Sequence, residues 1–133
     1  MTSLRICLAE DNEDLRHVLK SLIRSLGHEV VCDVANGQAL VDGAMKDDVD
    51  LVIADLDMPL LDGLAAAEQI AQQRGMPIIL LSGHADADLV VVEHEPVTLR
   101  LLKPVTRQSL QEAIERAMDL GSRKAGERPT SNG

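Results

Sequence analysis

Two short runs constrain this chain more than anything else in it: Leu51-Val52-Ile53-Ala54 and Ile78-Ile79-Leu80-Leu81 contain no polar residue at all. A strand of that kind is buried on both faces, as parallel strands between two helix layers are. Leu4-Arg5-Ile6-Cys7-Leu8-Ala9, Glu29 to Val34 and Leu99-Arg100-Leu101-Leu102 read as three further strands. Helical periods separate them. Leu15, Val18, Leu19, Leu22, Ile23 and Leu26 recur at helical spacing and mark one inward stripe, closed by Gly27 at a C-terminal cap. Asn36 is placed to cap a helix through about Met45, with Ala39, Leu40, Gly43 and Ala44 inward. Leu64 to Gln73 is a third helix, and Leu110, Ala113, Ile114, Ala117 and Met118 mark the last. Five strands alternating with five helices predict an open α/β sheet.

The helix expected over 86–96 fits poorly, because Val90-Val91-Val92 is β-branched and Pro96 ends it early. It is expected to be short or irregular. Residues 122–133 are rich in Ser, Gly, Pro and charge and read as a disordered polar tail, so residues 1–121 make the single domain. A start at Met1 reads as a stand-alone protein, although a domain excised from a larger chain would look the same. The chain has 133 residues, a net charge of −9, two cysteines and no Phe, Trp or Tyr. The acidic balance argues against direct binding to nucleic acid. Two cysteines are too few for a disulfide framework, which points to a reducing, cytoplasmic setting, and no apolar run is long enough to span a bilayer. The missing rings exclude ligands held by aromatic stacking.

Ligands of a parallel α/β sheet bind beyond the carboxyl ends of the strands. Glu10 and Asp11 follow the first strand, Asp55 and Asp57 the third, Ser82-Gly83 the fourth, and Lys103-Pro104 the fifth. Carboxylates gathered together repel unless a cation joins them, and hard oxygen donors without thiolate suit Mg²⁺. A hydroxyl and an ammonium nearby complete the parts for phosphoryl transfer to an aspartate.

On Ala9-Glu10-Asp11-Asn12, Asp55 through Gly63, Ser82-Gly83 and Lys103-Pro104, the chain resembles the receiver domain of two-component response regulators over residues 4–120. The resemblance implies a flavodoxin-like (βα)5 three-layer sandwich with a parallel sheet in order 2-1-3-4-5. It implies Asp55 as phosphoacceptor. It implies Mg²⁺, with Mn²⁺ as a substitute, on Glu10, Asp11, Asp55 and the backbone carbonyl of Asp57. Ser82 and Lys103 resemble the groups that contact the phosphoryl oxygens. Asp57 and His84 resemble the positions that tune dephosphorylation. Pro59 and Gly63 belong to the turn after the acceptor, and Lys103-Pro104 resembles a cis-peptide turn. The expected partners are a histidine kinase or histidine phosphotransfer protein and an unknown downstream protein, with the chain a monomer or weak dimer. The family's bacterial setting implies signalling through altered protein binding, or onward relay of the phosphoryl group, without turnover catalysis.

One position departs from the pattern. Three residues before the lysine the family usually carries Tyr or Phe as a switch; here it is Arg100. At rest Arg100 reads as a surface residue on an edge strand, and in action as a switch element in its own right. Two alternatives stay open. One is a haloacid-dehalogenase-type phosphatase fragment, with Asp55, Asp57, Ser82 and Lys103 as its motifs and only Glu112, Glu115 and Asp119 following. The other is a receiver-like binding module that is never phosphorylated. Cys7 and Cys32 read as core residues, and His17, His28 and His94 as solvated.

Overall fold

Strands without polar residues can be satisfied only if both of their faces are covered, and the fold is arranged to do that. The computed structural model describes residues 3–46, 48–56, 58, 60–83, 90–92 and 98–126. In chain order the elements are β1 (Arg5–Ala9), α1 (Glu13–Ser25), β2 (Glu29–Val34), α2 (Gly37–Ala44), β3 (Leu51–Asp55), α3 (Gly63–Gln73), β4 (Ile78–Ser82), β5 (Val90–Val92), β6 (Thr98–Leu102) and α4 (Arg107–Gly126). One sheet holds all six strands in the order β2-β1-β3-β4-β6-β5. Five of them are parallel and follow the expected 2-1-3-4-5 order, with β6 as the fifth; β5 runs antiparallel to β6 at the end.

Alternation along each strand divides the core into two layers. Ile6, Leu8, Leu51, Ile53, Ile79, Leu81, Leu99 and Leu101 face α1 and α4. Cys7, Ala9, Val52, Ala54, Ile78 and Leu80 face α2 and α3, where Ala44, Ala66 and Ala67 let the helices approach closely. Asn36 caps α2 as expected, accepting the Ala39 N–H at 2.8 Å. Gly27 follows α1 with φ of +93°, the left-handed cap that glycine adopts without strain.

Five expectations are corrected. Where a short helix was expected, Val90–Val92 is a strand, so the described residues hold six strands and four helices. Three β-branched residues lose rotamer freedom in a helix and fit a pleated strand. Pairing with β6 also leaves Arg100 on an interior strand rather than an edge. The last helix continues to Gly126, past the boundary drawn at residue 121. Its polar Ser122-Arg123-Lys124-Ala125 stretch holds no helix breaker, so polarity alone was a poor guide; residues 127–133 lie outside the described residues. Val18 is 51% exposed while Leu19 and Ile23 are buried. The six-residue stripe on α1 is wider than the face the sheet covers.

His28, expected to be solvated, is buried, and its Nδ1 accepts the Leu4 N–H at 3.1 Å. Burial lowers its pKa from the ordinary 6.5. The unfolded chain therefore takes up this proton first, and the stability contributed by neutral His28 is lost as pH falls below 6.5. Between about pH 7.5 and about pH 5.5 the melting temperature of the wild type should fall more than that of His28→Asn, whose amide oxygen can accept the same N–H without titrating. Parallel declines in the two proteins would remove His28 as the cause.

Candidate functional site

Because β1 lies beside β3 with Ala9 opposite Ala54, the residues that follow both strands emerge together. Asp55 is the last residue of β3 and is buried; Glu10 is buried just beyond β1, and Asp11 next to it is exposed. One carboxylate oxygen from each of Glu10, Asp11 and Asp55 lies within 4.8 Å of the others. Next in the sheet, β4 sets Leu81 opposite Asp55 and ends on buried Ser82. β6 sets Leu102 opposite Ser82 and delivers Lys103, whose N–H donates to the Ser82 carbonyl at 2.7 Å. The Lys103–Pro104 peptide is cis. The Lys103 Nζ then bridges two carboxylates, 3.3 Å from Glu10 Oε1 and 3.3 Å from Asp55 Oδ2.

Glu10 is held from three sides. Its N–H donates to the Val34 carbonyl at 3.0 Å, its Oε2 accepts the Asn12 N–H at 3.2 Å, and its carbonyl accepts Arg16 Nη1 at 2.8 Å. Asn12 also caps α1, accepting the Leu15 N–H at 2.9 Å. From sequence, Asn12 is part of a motif but has no role of its own, and Arg16 is not singled out. Asn12 stands directly before Glu13-Asp14, a helix-start pattern that could have found it. Arg16 has no such signal, because its contact depends on where the strand ends relative to the helix.

The electrostatics favour a bound cation. Burial, joined by the charge on Asp55, pushes the Glu10 carboxyl up to about 7, against the opposing pull of the Asn12 N–H and Lys103. Burial alone would lower Lys103, but the Asp55 and Glu10 carboxylates outweigh it and hold the ammonium above its ordinary range. Glu10 Oε1 is buried and faces the Lys103 ammonium at 3.3 Å. Among the described residues a single ammonium, Lys103, meets this cluster of three carboxylates, which leaves an excess of negative charge. An all-oxygen donor set of this kind fits a hard divalent cation.

The turn between Asp55 and α3 is built tightly. The Gly63 N–H donates to the Leu56 carbonyl at 2.8 Å, and Asp62 caps α3 by accepting the Ala65 N–H at 2.8 Å. A Cβ on Gly63 would run into the Asp55 carbonyl oxygen and lie 3.0 Å from the Leu56 Cα. Arg100 is half-buried on β6, paired with Leu80 on one side and Val90 on the other. Asp57, Pro59, His84 and His94 lie outside the described residues, and so does the expected Asp57 carbonyl ligand. Cys7 is buried and Cys32 half-buried. Among the described residues no helix is long and apolar enough to cross a membrane.

Known proteins share this arrangement. The family model of the response regulator receiver domain matches residues 6–115. The chain is 36% identical over 115 residues to the transcriptional regulatory protein PdtaR of Mycobacterium tuberculosis, a match covering 86% of this chain and 56% of that protein. It therefore spans little more than half the length of that relative. It is 27% identical to the chemotaxis protein CheY homolog of Campylobacter jejuni, covering 90% of this chain and 95% of that one. Among solved structures, it is similar to the receiver domain of the sensor histidine kinase PA1611 of Pseudomonas aeruginosa, which has a magnesium ion coordinated in its active-site cleft. The TM-score is 0.74 and the identity 30%, over 89% of this chain and 99% of that one.

Proposed function

The chain belongs to the response regulator receiver domain family of two-component signalling modules, and from that membership we propose that it accepts a phosphoryl group on Asp55. The donor is the phosphohistidine of a kinase or a phosphotransfer protein. An Asp55 oxygen attacks phosphorus, the P–N bond breaks, and the released imidazole takes a proton. Glu10, Asp11, Asp55 and the backbone carbonyl of Asp57 would hold Mg²⁺, or Mn²⁺ in its place, which supplies positive charge to the phosphoryl oxygens. Lys103 and Ser82 engage the remaining oxygens, and Asp57 and His84 tune the return hydrolysis. The observation that carries this reading is the Lys103 ammonium bridging Asp55 and Glu10 at 3.3 Å each, within a cluster of three carboxylates.

We further propose that the receiver domain, its last helix included to Gly126, acts in the cytoplasm as a phosphorylation-dependent protein-binding module and not as a turnover enzyme. Incubation with Mg²⁺ and a small acyl phosphate should add one phosphoryl group, read by intact mass. No adduct and no cation binding would leave an unphosphorylated binding module; multiple turnover of a phosphate ester would point to a phosphatase.

Arg100 occupies the position where an aromatic switch is usual in the family, and we propose that it carries the switch itself. Its guanidinium can pair with the chain's excess acids or contact a partner directly. For a partner that distinguishes the two states, Arg100→Ala should reduce the ratio of phosphorylated to free affinity by roughly fivefold or more. An unchanged ratio would remove Arg100 from the switch.

A further inference from the structure

β1 and β2 do not pair in a simple register. Ile6 lies opposite Val30, but Cys7 lies opposite Cys32, so Val31 is an extra residue on β2. A bulge re-aims the side chains beyond it. Here the consecutive residues Val31 and Cys32 both pack into the layer under α2 and α3, the layer that also contains Cys7. Without the bulge, Cys7 would face Val31.

The neighbouring helix is shaped around the same two sulfurs. Gly43 of α2 is buried against them; a Cβ there would collide with Cys32 Sγ and lie 3.3 Å from Cys7 Sγ. The two residues are partners across the strands, so each thiol acts on the ionisation of the other. That contact lowers the pKa of Cys32, and the Lys46 charge acts in the same direction. The same contact, with burial, pushes Cys7 far up. Cys7 is fully buried, and half-buried Cys32 is the sulfur that a small oxidant can reach. Neither sulfur has a part in the site around Asp55. Strands in a sheet lie roughly 5 Å apart, a Cα separation that a disulfide can span.

We propose that Cys7 and Cys32 form a peroxide-responsive dithiol that closes reversibly to a disulfide. The sulfur of Cys32 attacks one oxygen of hydrogen peroxide, the O–O bond breaks, and Cys32 becomes a sulfenic acid with release of water. The Cys7 sulfur then attacks the Cys32 sulfur. The S–O bond breaks, and the departing hydroxide takes the Cys7 proton as a second water. Two thiols are oxidised by two electrons and one peroxide is reduced. A cellular dithiol reverses the bond by exchange. The pair also has a route to the acidic cluster, since Cys7 stands three residues before Glu10 on the same chain segment.

The test uses the full chain, freshly reduced, exposed to hydrogen peroxide and then alkylated under denaturing conditions. Intact mass should show loss of two hydrogens, no alkylated thiol, and full recovery with dithiothreitol. Cys7→Ser should stop at one sulfenic acid on Cys32, captured by dimedone, and Cys32→Ser should keep Cys7 reduced. The wild-type measurement stands by itself should either variant fail to fold. Three wild-type outcomes would overturn the proposal: oxygen added to Cys32 with Cys7 still free, only intermolecular dimers, or no reaction where a reference dithiol is oxidised.

Discussion

Asp55→Asn is expected to leave no phosphoryl adduct while keeping the fold. The amide has the shape of the carboxylate but no nucleophilic oxygen, so no bond to phosphorus forms. One attraction, to Lys103 at 3.3 Å, and one repulsion, toward Glu10, disappear together. The net stability change should therefore stay within about 1 kcal/mol. The Asp55 charge helps to hold the Glu10 carboxyl up to about 7, so Glu10 should titrate lower in the variant. The sign follows from linkage: a carboxyl with a raised folded pKa penalises the metal-free fold as pH rises from 4.5 through 7. That decline should be shallower in Asp55→Asn. Cation affinity should fall at least about tenfold, since one of three carboxylates is gone. Intact mass, thermal melts across pH and calorimetric titration check these points in turn. An adduct that persists in the variant would place the acceptor elsewhere.

Gly63→Ala should damage both stability and phosphoryl acceptance. Its Cβ would meet backbone rather than a yielding side chain: the Asp55 carbonyl oxygen, the Asp55 carbonyl carbon at 3.1 Å and the Leu56 Cα at 3.0 Å. Relief requires either α3 or the end of β3 to move, and the end of β3 is Asp55 itself. A loss of about 3 kcal/mol is expected in denaturant unfolding, with slower phosphorylation in whatever remains folded. Gly75→Ala is the matched control, because nothing lies within 4 Å of its Cβ position. It should change stability by no more than about 0.5 kcal/mol. Equal effects at the two glycines would show that the turn after Asp55 is more pliable than its packing indicates.

The sheet was legible in Leu51-Val52-Ile53-Ala54 and Ile78-Ile79-Leu80-Leu81 because burial on both faces leaves no room for polar residues. The acidic cluster was legible because strand order turns separated residues into neighbours, and Glu10, Asp11 and Asp55 do meet. What escaped depends on partners that periodicity does not encode. Val90–Val92 is a strand because β6 offers it an edge. His28 is buried because Leu4 lies opposite it, twenty-four residues away. The bulge at Val31 arises from register between two strands, and each strand alone reads as regular. Arg16 reaches the Glu10 carbonyl only once helix and strand are docked.

The two borders of the sheet face the same hazard and meet it differently. An unpaired strand is a template on which another molecule can build, leading to aggregation. β2, on one border, is six residues long and exposes Glu29 and Asp33, the second pinned by Lys20 at 2.7 Å. Fixed charge there repels an incoming strand. β5, on the other among the described residues, is three valines with no charge of its own, and its shortness limits what it offers to pair with. Lengthening β5 with apolar residues would enlarge that template and should lower colloidal stability before it lowers folding stability.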